Sequence, residues 1–114
     1  MMSQGTAQGR FTRFMKQRNL FGVELASREM GTISLLDALD YLDLVAEVKP
    51  EKLERAAVRW HGRLETEAPT LTLGESQLAL AALASLCASE RDALRILRGV
   101  VRRAGPTLLR PIGG

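Results

Sequence analysis

Apolar residues recur at three- and four-residue intervals along most of this chain, the spacing that lines one face of an α-helix. Phe11, Phe14, Met15, Arg18, Gly22, Leu25 and Ala26 fall on one such stripe. Two readings of this stretch stand. A single helix can run from Arg10 to Met30 and stop at Gly31, or the chain can break at Asn19 or Gly22, with Asn19 capping a second, shorter helix. Later starts carry clearer signals. Ser34 stands three residues before Asp37, Thr72 three before Glu75 and Ser89 three before Asp92, each just ahead of an apolar-periodic run. This is the pattern in which two side chains satisfy the free amides of a helix start. Pro50 suits a first turn, where its missing N–H needs no partner. Gly105 and Pro106 end the last helix.

These signals predict a helix or helix pair over 10–30, then helices over 35–48, 51–66, 73–87 and 90–103. Residues 1–9 are small and polar and are expected to form a flexible N-terminus, 10–104 a single helical domain, and 105–114 an extended C-terminal tail. The short connections predict antiparallel neighbours, so the fold class is all-α: an antiparallel bundle or short helical-hairpin stack of five to six helices. The 73–87 segment is apolar on nearly every side and is the expected central helix. Trp60, with Leu53, Ala57 and Leu64, is the expected large core piece of the 51–66 helix.

Composition agrees. Leu (19) and Ala (14) far outnumber Val (6) and Ile (3), so the apolar content is that of helices and not strands. The longest apolar stretch, from Leu78 towards Ala88, falls short of the roughly 18 residues that cross a bilayer. No stretch has the make-up of a signal peptide, and the one cysteine, Cys87, has no intramolecular disulfide partner, so a cytoplasmic setting without membrane attachment is expected.

Charge is segregated. Residues 1–18 carry four basic side chains and no acid, and residues 95–114 carry five and no acid. All thirteen acids lie between Glu24 and Asp92 beside seven basic residues, which leaves that stretch at −6 in a chain of net +3. Such asymmetry suits either an anionic partner or termini that fold back on the centre.

Candidate chemistry is sparse. One cysteine and one histidine, Cys87 and His61, cannot supply the several soft ligands of a zinc site. Phosphate-loop, dinucleotide and nucleophile-elbow motifs are missing, so neither a catalytic residue nor a cofactor is expected, and the chain reads as non-enzymatic. Cys87 reads as an inert core thiol and His61 as a flank or partly buried residue. Asp37, Asp40, Asp43 and Glu47 form an acidic stripe. Hard-cation binding is conceivable there, but pairing with Arg55, Arg59 and Arg63 across the turn at Pro50 is the stronger reading.

The most pointed feature is in the last helix, where Arg91, Arg95, Arg98 and Arg102 form a narrow ridge roughly 16 Å long, opposite Leu94, Ile96, Leu97, Val100 and Val101. Guanidinium groups at this spacing suit an acidic protein surface or the phosphates of a nucleic-acid strand. Only five aromatic residues occur in the chain and none lies in that helix to stack on a base. The tail adds Leu108, Leu109 and Ile112, an apolar set able to dock in a partner's groove or over its own core. Gly113 and Gly114 resemble the diglycine end of ubiquitin-like modifiers, without the strand pattern of that fold. The expectation is a protein–protein interaction module, an adaptor, small subunit or regulator, with nucleic-acid binding through the same ridge as the alternative and a homo-oligomer as a further option.

Over roughly 19–101 the phrases NLFGVELASREMGTISLLDALDYL, RAAVRWHGRLE and ESQLALAALASL resemble those of short, uncharacterised helical proteins of actinobacterial type. The resemblance implies a helical fold and a bacterial cytoplasmic setting, and it transfers no functional residue.

Overall fold

A computed structural model describes residues 6–106. They form six α-helices: α1 (Ala7–Lys16), α2 (Leu20–Met30), α3 (Leu35–Val48), α4 (Leu53–Glu67), α5 (Leu73–Cys87) and α6 (Ala93–Ala104). A 3-10 turn, Pro50–Lys52, leads into α4. The all-helical class and the helix count are as the periodicity predicts. Helix α1 begins earlier than the expected 10, because the Thr6 hydroxyl accepts the Gly9 N–H at 2.9 Å and caps a first turn inside the segment expected to be flexible.

The first helical stretch is broken at Asn19. Arg18 adopts a left-handed conformation (φ 55°), its N–H bonds the Met15 carbonyl, and the Asn19 N–H reaches back to Phe14. This is a Schellman end built without glycine. Asn19 then starts α2, its side-chain oxygen accepting the Gly22 N–H at 3.1 Å. Ser34 and Thr72 cap α3 and α5 as expected, the latter through a complete capping box with Glu75. Ser89 does not cap α6. It sits left-handed (φ 72°) just past α5, and the Ser89 and Glu90 N–H groups return to Leu86 and Ser85, so it closes the preceding helix.

The central helix is α3 and not α5. Helix α3 packs against α1, α2, α4 and α6, and buries Leu35, Ala38, Leu39, Leu42, Leu44 and Val45. These positions spread over most of its circumference, whereas α5 packs chiefly on α4 and α6 and buries one side only, Ser76, Ala79, Ala82, Leu83 and Leu86. Apolar composition all round was therefore no guide to centrality. Trp60 is buried among core residues, and its indole N–H donates to the Leu35 carbonyl at 3.0 Å, joining α4 to the start of α3. His61, next to it in sequence, is buried too, at 8% exposure, and does not flank the core. Gly22 lets α1 and α2 approach closely: a Cβ there would stand 2.5 Å from the Phe14 ring.

Candidate functional site

The acidic stripe of α3 and the arginine ridge of α6 meet inside one molecule. Arg91 donates from Nε to Asp43 Oδ1 at 2.7 Å, with Glu47 3.8 Å from its Nη2, and Arg98 Nη2 bonds Asp40 Oδ1 at 2.9 Å. From the other side Arg18 reaches Glu47 Oε1 at 2.6 Å and Asp43 Oδ2 at 3.5 Å. The Glu47 hydrogen bond is the main cause that raises the Arg18 pKa above its ordinary value. The ridge is thus split by helix geometry. Arg98, on the edge of α6, and Arg91, in the turn just before that helix, are turned to α3, while Arg95 and Arg102 lie one step round towards water. Among the described residues Arg95 and Arg102 hold no hydrogen bond or ion pair. Two of the four guanidinium groups of the expected ridge, those of Arg91 and Arg98, are therefore already held by carboxylates of the same chain.

The expected pairing of the stripe with Arg55, Arg59 and Arg63 is also corrected. Asp40, Asp43 and Glu47 lie on the flank of α3 next to α6 and the α1–α2 corner, out of reach of α4. Arg63 bonds Glu67 one turn on and the Ile33 carbonyl at 2.6 Å. Arg55 and Arg59 are left without hydrogen bond or ion pair among the described residues, although Glu51 and Glu54 are close in sequence.

These two arginines, with Arg28 from α2, line an open cleft of about 900 Å³ between α2, α3 and α4. Lys52, Glu24, Glu51 and Glu54 also line it, so the formal balance is four cations to three anions. In its lining the Tyr41 hydroxyl donates to Glu24 Oε2 at 2.9 Å. Burial, then the Glu24 bond, pushes the phenol up to about 12, while Arg59 and Arg28 act in the opposite sense. The charges of Arg28, on α2, and Arg59, on α4, thus both act on one phenol. Arg28, like Arg55 and Arg59, makes no ion pair among the described residues. Sequence reading missed this set because it assigned Arg55 and Arg59 to the acidic stripe. The available signal was their i, i+4 spacing, which places like charges side by side at a cost unless something else neutralises them.

Cys87 is exposed at the end of α5 and is not a core thiol. Partial burial, then the Glu54 charge, raises its pKa, which keeps it in the weakly reactive thiol form. Leu108, Leu109 and Ile112 lie outside the described residues. Among those described, no helix is long and apolar enough to cross a membrane, and no group of three or more His, Cys, Asp or Glu could hold a metal ion. Comparison with known proteins finds no matching family, no similar curated protein and no similar solved structure.

Proposed function

We propose that this protein is a non-enzymatic protein–protein interaction module, a small subunit, adaptor or regulator, that recognises an acidic protein surface in the bacterial cytoplasm. The observation that carries the reading is the set of guanidinium groups left open by the fold. Arg28, Arg55 and Arg59 line one cleft without ion pairs, whereas Arg10, Arg18, Arg63, Arg91, Arg98 and Arg103 each hold a carboxylate of the same chain. Carboxylates of a partner can form forked bonds to such groups without first breaking an internal pair. The binding surface accordingly moves from the ridge of α6 to the α2–α4 cleft. A nucleic-acid partner finds less support, because two of the four ridge arginines are spoken for by Asp43 and Asp40.

Titration of a labelled oligoglutamate peptide and of a short DNA duplex tests the reading. The wild type should bind the peptide, Arg55→Gln/Arg59→Gln should lose at least tenfold in affinity, and Arg95→Gln/Arg102→Gln should retain it. Preference for the duplex, with a steep salt dependence abolished by Arg95→Gln/Arg102→Gln, would instead establish the nucleic-acid reading.

A further inference from the structure

Helices α1 and α2 pack mainly on each other, with fewer close approaches to α3 and fewer still to any other helix. Together they bury four apolar side chains, Phe11, Leu20, Val23 and Ala26, whereas α3, α4, α5 and α6 each bury that many or more alone. Apolar burial is the main force that opposes undocking, so this hairpin is the part of the fold least firmly held. Its two ends are tied down by different means. The chain passes from α2 to α3 through residues 31–34, where Gly31 is left-handed (φ 83°) and has nothing within 4 Å of the place a Cβ would occupy. Two residues on, the Ile33 carbonyl accepts a bond from Arg63 Nη2 at 2.6 Å, which fixes the α3 side of the connection to α4. Backbone freedom is thus concentrated at Gly31 and Thr32, the arrangement of a hinge.

The opposite end lies roughly 16 Å away, the length of the 11 residues of α2. There the corner between α1 and α2 is held by charge. Left-handed Arg18 reaches Glu47 from Nε at 3.1 Å and from Nη2 at 2.6 Å, and Asp43 at 3.5 Å. The Arg18 and Glu47 side chains are 35% and 44% exposed, so dissolved salt weakens their attraction. Between hinge and corner, the Tyr41–Glu24 bond is a further tie. Helix α2 is also one wall of the arginine cleft, supplying Glu24, Ser27 and Arg28, while Arg55 and Arg59 come from α4. The like charges of Arg28 and of Arg55 and Arg59 favour parting of the two walls. We infer that the α1–α2 hairpin is a hinged wall of this cleft, pivoting at Gly31 and latched at its far corner by Arg18 on Glu47 and Asp43. The cleft is complete only while the latch is closed. This consequence rests on the cleft reading, whereas the swing itself does not.

Hydrogen exchange of the full chain without any ligand tests the swing apart from that reading. Once undocked, helices of 10 and 11 residues are too short to persist in water, so opening is read as exchange of their amides. In the wild type, α2 amides should be protected about tenfold less than those of α4. Arg18→Gln should speed α2 exchange a further threefold, roughly the worth of one exposed ion pair, and leave α4 unchanged. High salt should do the same to the wild type and nothing to the variant. Equal protection of α2 and α4 overturns the hinge. Exchange that Arg18→Gln or salt speeds equally in both helices, or in neither, overturns the latch. If Arg18→Gln fails to fold, the salt response of the wild type decides the latch alone.

Discussion

His61 Nε2 lies 3.1 Å from the hydroxyl oxygen and 3.2 Å from the carbonyl oxygen of Ser76, so one ring nitrogen of α4 holds the first turn of α5. A carbonyl only accepts, and the Ser76 hydroxyl donates its hydrogen to Glu65 at 2.7 Å, so Nε2 carries the hydrogen. His61→Ala removes both bonds and the packing of a buried ring, and should cost roughly 1–3 kcal/mol. Ser76→Ala keeps the carbonyl bond and should cost about 1 kcal/mol. Urea midpoints at constant m-value measure both, and the reverse order would refute this assignment of donors.

Glu75 accepts hydrogen bonds from Arg103 and from the Thr72 backbone, which together hold its carboxyl at about 2 against an ordinary 4.5. The folded value lies below the unfolded one, so the contribution is present above pH 4.5 and is lost as pH falls through 2. Glu75→Gln should lower the melting temperature at pH 7 and flatten its decline between 4.5 and 2. Thermal melts across that window decide; parallel declines in variant and wild type would count against the link.

Tyr41 is the single tyrosine of the chain, so phenolate absorbance reports on it alone. Its midpoint in the folded protein should lie near 12, and Glu24→Gln should bring it down towards 10. The raised value means that its contribution to stability is complete below pH 10 and is lost as pH rises through 12. A midpoint unmoved by Glu24→Gln would show that burial alone sets it.

Two glycines should respond in opposite directions to alanine. At Gly22 the new methyl group meets the Phe14 ring, α1 must shift away from α2, and the cost should be about 1–3 kcal/mol. At Gly62, on α4, a Cβ meets nothing within 4 Å. Gly62→Ala should therefore stabilise by roughly 0.5–1 kcal/mol through the better helix propensity of alanine. Chemical denaturation of the pair checks both signs.

Helix type and most boundaries were legible because they depend on neighbours in sequence. Ser34, Thr72 and Asn19 cap through bonds spanning three residues, and such local spacing is visible in the chain. Ser89 has the same local appearance. It closes α5 because the chain must reverse there, and a serine three residues before an acid does not reveal which of two helices it serves. Charge partners were not legible. The acids of α3 had arginines on both sides in sequence, and the rotation of α3 about its axis, fixed by six buried apolar positions, turned them to Arg18, Arg91 and Arg98 instead of α4. The same tertiary choice occupied half the ridge and left Arg55 and Arg59 in the cleft beside Tyr41. The exposure of Cys87 follows from the outer position of α5, which its composition concealed.

Helix α3 draws its neighbours from both ends of the chain, with α1 and α2 before it and α4 and α6 after. No continuous stretch on either side of the 68–72 connection encloses that helix, since α6 lies beyond the connection and the rest of its covering lies ahead of it. A backbone cut there would bare the apolar sides of α3 and α4 that α6 and α5 cover. The last helix thus completes the covering of a core element whose other neighbours all precede that connection, so the two ends of the chain are tied through α3.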